Sequence, residues 1–410
     1  MFPLDPVLRK IVVKGALTMV DAKGVAHSYR GREPGPVVTM NLHTPSLPWR
    51  ILLNPDLALG EAYMDGSLTV SKGDIFDAIG ILMDNMERSG GYALGHISDA
   101  LSRMVRRLQQ YNPAPVAHRN VRHHYDLSGD LYRLFLDSDL QYSCAYFRSP
   151  ADSIEEAQRN KKIHIAAKLV LDRPGLRVLD IGSGWGGLAL DIARMSSANV
   201  TGVTLSEEQL KVARQRAADA GLESRVNFQL ADYRAVEGQF DRIVSVGMFE
   251  HVGVNHYDEF FTACRRLLAP GGVALLHTIG RSDGPGATSA WIRRYIFPGG
   301  YSPALSEVVP AIERSGMWVT DIEVLRYHYA ETLRAWRRRF MANRSKAVAL
   351  YDERFARMWE FYLAASECVF RYSNHVVFQI QFSRRKDSVP GTRDYIADWE
   401  RNRGNHSVAA

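Results

Sequence analysis

The sequence predicts an α/β protein whose larger part is a doubly wound parallel sheet, preceded by a smaller N-terminal α+β unit. Three observations carry this. From Arg177 onward, short apolar runs alternate with helical patterns in five β-α repeats. The first run, Arg177–Ile181, leads at once into Gly182-Ser-Gly-Trp-Gly-Gly187, a strand–turn–helix junction where backbone N–H groups can approach a ligand closely. A chain of 410 residues, 46% apolar and 23% charged, folds as two domains more often than one.

Residues 1–111 make the first unit. Val38 to Leu42 and Ile51 to Leu53 read as short strands joined by Pro-containing turns, and Ser67 to Val70 as another. Asp74 caps a helix over Ile75 to Met86. A second helix is expected from Ile97 to Tyr111, with Ile97, Leu101, Met104, Val105 and Leu108 on one face and Arg103, Arg106 and Arg107 elsewhere. Pro113 and Pro115 break it, and residues 112–119 form a linker. A basic amphipathic helix beside a joint suits a membrane surface, although a solvated helix face accounts for the same residues.

The second unit spans residues 120–385. Tyr125 to Tyr132 turns into a short helix, Gln141 to Phe147 is extended, and Ser153 caps a helix from Ile154 to Leu171. Strands are expected at 177–181, 199–205, 226–231, 241–247, 273–279, 319–325 and 376–383, and helices at 187–195, 207–220, 257–268 and 306–315. Ligands of such sheets bind outside the carboxyl ends of the strands. Two stretches interrupt the repeat. Trp291 to Tyr301 is too aromatic for a solvated loop and reads as an apolar cover over the strand ends that receives a lipid chain. Tyr327 to Tyr372 opens long helices, where Arg334, Arg337, Arg338 and Arg339 fit lipid phosphate or an exposed helix face equally. Residues 386–410 are a polar tail, loosely ordered at its end.

Cys144, Cys264 and Cys368 are too scattered for a zinc site or a disulfide framework, which suits a reducing cytoplasm. No run of 18 apolar residues and no secretory h-region is present, so a membrane would be met from its surface. A net charge of +6 suits a nucleic acid, an anionic membrane or a phosphate-bearing substrate without choosing among them.

The glycine pattern is G-x-G-x-G-G, not the dinucleotide fingerprint. Asp180 precedes its first glycine by two, where an acid can hold a cationic amino group, as at the amino-acid end of S-adenosylmethionine. An ordinary βα turn is the competing account. The second strand ends at Thr204, with Ser206 and Gln209 beyond: neutral groups that can bond a ribose where a carboxylate is usual. Asp232 and Tyr233 close the third strand, placed to bond and cover an adenine, unless Asp232 simply caps a turn. Glu250 and His251 end the fourth, and His277 lies in the fifth. A lone histidine there is usually a satisfied core residue; beside Glu250 it can do acid–base chemistry or anchor a small polar ligand.

Eight segments in order resemble the cyclopropane-fatty-acyl-phospholipid synthase family and the related mycolic-acid cyclopropane synthases. They are Tyr125-Asp-Leu-Ser128, Tyr142-Ser-Cys-Ala-Tyr146, Leu179-Asp-Ile-Gly-Ser-Gly-Trp-Gly186, Gly202-Val-Thr-Leu-Ser206, Phe249-Glu-His251, His277-Thr-Ile279, Phe297-Pro-Gly-Gly-Tyr301 and Tyr329-Ala-Glu-Thr-Leu333. The first unit, with Asn54-Pro-Asp56 and Gly60-Glu-Ala-Tyr-Met-Asp-Gly66, looks like the amino-terminal domain of the full-length phospholipid enzymes, which points to membrane phospholipid as substrate.

The resemblance implies a Rossmann-like class I methyltransferase fold with a seventh, antiparallel strand. It implies S-adenosylmethionine held by Tyr142, Ser143, Asp180, Gly182, Gly184, Gly186, Thr204, Ser206, Gln209, Asp232 and Tyr233. It further implies a bicarbonate ion, a weak base for the proton lost as a cyclopropane ring closes. Cys144, Glu250, His277, Ile279 and Tyr329 stand at the family's ligand positions, and Cys144 is then no covalent nucleophile. A homodimer through the first unit, located in the cytoplasm and peripheral to the inner face of the membrane, is the expected setting. A methyl-branched or methylene product, or a non-catalytic lipid-binding protein, are the alternatives. A nucleic-acid methyltransferase would bring an N/D-P-P-Y/F or catalytic-cysteine motif; with neither in the sequence, no nucleic-acid partner is expected.

Overall fold

The computed structural model describes residues 3–89 and 128–404. The expected helix over Ile97 to Tyr111, the linker 112–119 and Tyr125 to Leu127 lie outside the described residues, as does the end of the tail.

The first unit runs α1 (Asp5–Ile11), β1 (Lys14–Val20), β2 (Ala26–Arg30), β3 (Glu33–Leu42), α2 (Leu47–Leu53), α3 (Pro55–Met64), β4 (Leu68–Lys72) and α4 (Ile75–Arg88). Its four strands are ordered β2-β1-β3-β4, with β1 and β3 parallel and the other pairs antiparallel. Leu17 and Met19 alternate inward along β1, as a sheet with one buried face requires. Asp74 caps α4 in a reciprocal capping box with Asp77. Asn85, buried on α4, accepts from the amides of Val13 and Lys14 at 2.7 Å each and donates to the carbonyls of Lys14 and Ile81. One side chain thereby satisfies three backbone groups at the turn into β1.

The expected strand at Ile51 to Leu53 is instead the end of α2. Pro48 sits in the first turn, where its fixed φ suits a helix, and Leu47 and Ile51, four apart, are buried while Leu53 is 81% exposed. A three-residue apolar run cannot distinguish strand from helix by itself.

The second unit runs α5 (Gly129–Arg133), α6 (Ile154–Lys168), β5 (Arg177–Ile181), α7 (Gly187–Met195), β6 (Asn199–Thr204), α8 (Glu207–Asp219), β7 (Val226–Leu230), β8 (Phe240–Val246), α9 (Tyr257–Leu267), β9 (Leu268–Arg281), α10 (Ala290–Tyr295), α11 (Leu305–Arg314), β10 (Trp318–Leu325), α12 (His328–Ala342), α13 (Arg344–Leu350), α14 (Glu353–Tyr372), β11 (His375–Ser383) and α15 (Asp394–Gly404). The sheet order is β10-β11-β9-β8-β5-β6-β7, parallel except for β11, which is antiparallel to both its neighbours. Its two faces are covered separately: α6, α7 and α8 pack on one with β5 and β6, while α9 and α11 pack on the other with β8, β9 and β11. This is the class I methyltransferase arrangement expected above.

A third apolar cluster joins the two units. It runs from the inner face of β1 and β3, through α3 and α4, into α12 and α14. α10 is part of this joint and does more than cover strand ends. Trp291 is fully buried against Phe361 and the backbone of Gly60, the Ser289 hydroxyl and Ala290 amide donate to Asp56, and Arg294 and Tyr295 donate to Glu61.

Two further expectations change. The arginine cluster is largely engaged in ion pairs within the chain: Arg337 pairs with Glu367 and Asp74 and lies 4.3 Å over the Phe76 ring, Arg339 pairs with Glu155, and Arg334 pairs with Glu331, while Arg338 is exposed. The polar tail holds α15, which docks on α6. His164 binds Glu323 at 2.7 Å through Nε2 and Glu400 at 2.6 Å through Nδ1, and Arg148 pairs with Glu400.

Candidate active site

The carboxyl ends of β5, β6, β7 and β8 open onto a cleft of about 1210 Å³ measured out to its mouth. The turn after β5 forms its floor. Gly182 (φ +83°) and Gly184 (φ +54°) are left-handed, a conformation that side chains resist, and a Cβ on Gly184 would project into open space. Bare backbone therefore faces the cleft. Asp180, at the end of β5, is 2% exposed, and its Oδ2 has no hydrogen-bond partner. Burial pushes its carboxyl up to about 7, with the charge of Lys161 opposing. An acid so placed gains most from a cationic ligand group.

Tyr142, Ser143, Asp180, Gly182, Gly184, Thr204, Gln209, Asp232 and Tyr233 all line this cleft. Two residues expected with them do not. Gly186 is the left-handed N-cap of α7, where a Cβ would strike Phe228. Ser206 caps α8 by accepting from the Gln209 amide. Thr204 donates to Gln209 Oε1 at 2.9 Å, which sets the side chains that close the β6 end. Asp232 caps the turn after β7, binds the Arg234 guanidinium and also lines the cleft. Ser183 and Trp185 of the glycine motif and His251 beside Glu250 also line it, as do Gln141 and the Val246–Met248 turn, which sequence reasoning missed because nothing marked them as ligand-facing.

Behind the cleft lies a second, buried polar group. Glu250, in the 3₁₀ turn after β8, accepts from the Ile279 amide at 2.6 Å through Oε1, while its Oε2 is buried without a partner. Burial raises its carboxyl to about 7, against the hydrogen bond from Ile279. His277 lies two residues before Ile279 on β9, hence on the same face of the sheet. It stands directly opposite Gln379 of β11, whose amide nitrogen is 3.1 Å from Nδ1. With Gln379 donating, Nδ1 accepts and Nε2 carries the proton. That Nε2 is buried and has no partner. Burial holds the imidazole well below its ordinary pKa, helped by the charge of Lys161, so it is neutral.

Cys144 and Tyr329 approach from the extended segment 141–147 and from α12. The Ala145 amide donates to Thr332 Oγ1 at 3.0 Å, and Thr332 lies one turn along α12 from Tyr329. Burial pushes the Cys144 thiol far up. A dense aromatic wall surrounds these groups: Tyr142 stacks on Trp336 at 5.2 Å and bonds the Tyr362 hydroxyl at 2.8 Å, and Tyr329 packs on Phe370 at 4.7 Å. Phe297, from the segment after α10, contacts both Tyr362 and His251. Glu250 thus keeps one carboxylate oxygen and His277 one ring N–H without a partner in an apolar setting, an acceptor and a donor of the kind that acid–base chemistry or a small polar ligand uses.

The sequence profile of the mycolic acid cyclopropane synthetase family matches residues 114–380. The chain is 41% identical over 335 residues to the cyclopropane-fatty-acyl-phospholipid synthase of Escherichia coli, covering 82% of this chain and 85% of that one. It is 42% identical over 275 residues to the tuberculostearic acid methyltransferase UfaA1 of Mycobacterium tuberculosis, covering 64% of each. Among solved structures, the mycolic acid cyclopropane synthase CmaA1 complexed with SAH and CTAB superposes with a TM-score of 0.62 at 36% identity, covering 67% of this chain and 99% of that one.

Proposed function

This chain belongs to the mycolic acid cyclopropane synthetase family, and from that premise we propose that it is an S-adenosylmethionine-dependent cyclopropane-fatty-acyl-phospholipid synthase. It adds one carbon across the cis double bond of an unsaturated acyl chain in a membrane phospholipid. One observation carries the reading: Glu250 Oε2 and His277 Nε2 are buried and unpartnered at neighbouring strand ends, behind a cleft floored by the unpartnered Asp180. The name of the E. coli relative supports the phospholipid substrate.

The alkene's π pair forms a bond to the donor methyl as the methyl–sulfur bond breaks, its electrons staying on sulfur. That leaves a cation on the acyl chain; the added methyl then loses a proton, and the freed pair closes the ring. When bound, S-adenosylmethionine supplies the electrophilic methyl, and a bicarbonate held by Glu250, His277 and Tyr329 supplies a weak base for that proton. Asp180 takes the donor's amino group, while Thr204, Gln209 and Tyr233 meet its nucleoside. The Ile279 amide fixes Glu250 Oε1 and so leaves Oε2 to accept. His277 donates from Nε2. Cys144 stays a neutral thiol and does not compete for the sulfonium. The aromatic wall of Tyr142, Trp336, Tyr362 and Phe370 keeps water from the cation, which water would trap as an alcohol.

The setting proposed is the cytoplasmic face of the membrane, with the enzyme as a homodimer. Among the described residues no helix is long and apolar enough to cross a bilayer. On α2, Trp49 (57% exposed) and Leu53 (81%) stand one turn apart, an exposed apolar tip that suits a lipid surface, while Arg50 between them pairs with Glu61.

The test is incubation with S-adenosylmethionine and unsaturated phospholipid vesicles, followed by mass and proton analysis of the released fatty esters. A gain of one CH2 with loss of olefinic protons is expected. A gain with the olefin kept, or with a saturated branch, would assign the methyl-branched or methylene chemistry that the name of the UfaA1 relative raises. Donor and vesicle binding without any gain would leave a lipid-binding protein. Glu250→Gln should cut turnover by about 10²-fold or more while leaving donor affinity within twofold; an equal loss of both would remove Glu250 from its role.

A further inference from the structure

One buried charge is unused by the reaction as described. Lys161, on α6, is 1% exposed, and among the described residues no carboxylate is bonded to its ammonium. A lysine so buried without a bonded counter-ion is costly and needs a purpose. Its Nζ donates to Gln141 Oε1 at 2.7 Å and to Ser143 Oγ at 2.8 Å, and both acceptors line the donor cleft. An ammonium has no lone pair, so the direction of both bonds is fixed. Gln141 must present oxygen to Lys161 and nitrogen elsewhere; its Nε2 indeed donates to Asp139 at 2.9 Å. Ser143 Oγ must accept from Lys161, which leaves the hydroxyl proton to be given to a ligand in the cleft. Asp180, on the same cleft, feels the Lys161 charge and is the acid left without a partner.

Resting on the reading of this cleft as the donor site, we propose that Lys161 is a positioning residue for the donor's carboxylate. It holds Ser143 as a hydrogen-bond donor to that carboxylate and supplies the positive potential behind it, while Asp180 takes the amino group. The cleft then has two opposed halves, each matched to one charge of a zwitterion. Burial lowers the ammonium to about 8; Asp137 and Asp139 act against this and Lys162 with it, so Lys161 is charged at pH 7.

The test compares two probes by titration calorimetry at pH 7: S-adenosylhomocysteine and its decarboxylated counterpart, the aminopropyl thioether of thioadenosine. The intact protein is expected to prefer S-adenosylhomocysteine. Lys161→Met should lower affinity for S-adenosylhomocysteine by about tenfold or more, the scale of a hydrogen bond to a charged group, and leave the decarboxylated probe within about twofold. Ser143→Ala, a small change unable to disturb the fold as Lys161→Met can, should shift the same ratio in the same sense. A purely structural lysine would weaken both probes alike, and that result, or an unchanged ratio in Ser143→Ala, overturns the proposal. Failure of the unmutated protein to bind S-adenosylhomocysteine would overturn the reading of the cleft instead.

Discussion

Glu250 holds a carboxylate in surroundings that favour its neutral form. Burial raises it to about 7, from the ordinary 4.5. Between those values the folded chain keeps a proton that the unfolded chain has released, so this residue's contribution to stability falls as pH rises from about 5 to about 8. Glu250→Gln removes that dependence. In bicarbonate-free buffer the variant should gain on the unmutated protein by roughly 2–3 kcal/mol between pH 5 and pH 8, read from urea midpoints; a gap constant with pH would contradict the burial argument. The stability gained would accompany lost turnover. At this scale the sequence was most legible where residue type alone constrains chemistry. Asp180, Glu250 and His277 stood out because acids and imidazoles at strand ends are unusual. Ser206 and Gly186 are caps that do not line the cleft, and the sequence does not separate the two roles because a cap and a ligand contact ask for the same small polar or glycine residue. Lys161 was overlooked because a lysine in a helix reads as solvent-facing until its neighbours are known.

Among elements, the core strands and their helices were readable since the apolar runs of the central strands β5, β6, β8 and β9 are largely buried on both faces and bounded by turn residues. β5 and α7 match their expected limits residue for residue. β1 and β2 went unread and α2 was mistaken for a strand, as short elements with one buried face carry little periodic signal. The insertion after β9 was correctly seen as apolar, but its chief partner, α3, lies more than 200 residues away and nothing local announces it. Gly60 shows how close that partnership is: a Cβ there would sit 2.3 Å from Trp291 Nε1. Alanine improves helix propensity by about 1 kcal/mol, yet the overlap with a fully buried indole should win. Gly60→Ala is expected to destabilise by about 1–3 kcal/mol, measured by chemical denaturation, and Trp291→Leu should remove most of that added loss. An additive double variant would mean that the two residues do not press on one another.

For the whole molecule, the first unit both grips α10 through Asp56 and Glu61 and carries the exposed Trp49 and Leu53. The part proposed to meet lipid and the part that walls the site are thus mechanically continuous. Trp49→Ala with Leu53→Ala should weaken binding to anionic vesicles by about tenfold or more, since each side chain is worth roughly 1.5–3 kcal/mol when removed from water. Affinity for S-adenosylhomocysteine should be unaffected. Vesicle co-sedimentation reads the first and calorimetry the second; unchanged sedimentation would move the docking face elsewhere.

The strand order has a consequence in time. β11 lies between β10 and β9, and it carries the Gln379 that sets the proton of His277. Until residue 383 has left the ribosome, β9 has a bare edge on that side and β10 has no neighbour to pair with. The donor cleft, built from β5 to β8, can form well before then. An emerging chain therefore completes the strands that line the cleft before it makes the one that carries the partner of His277.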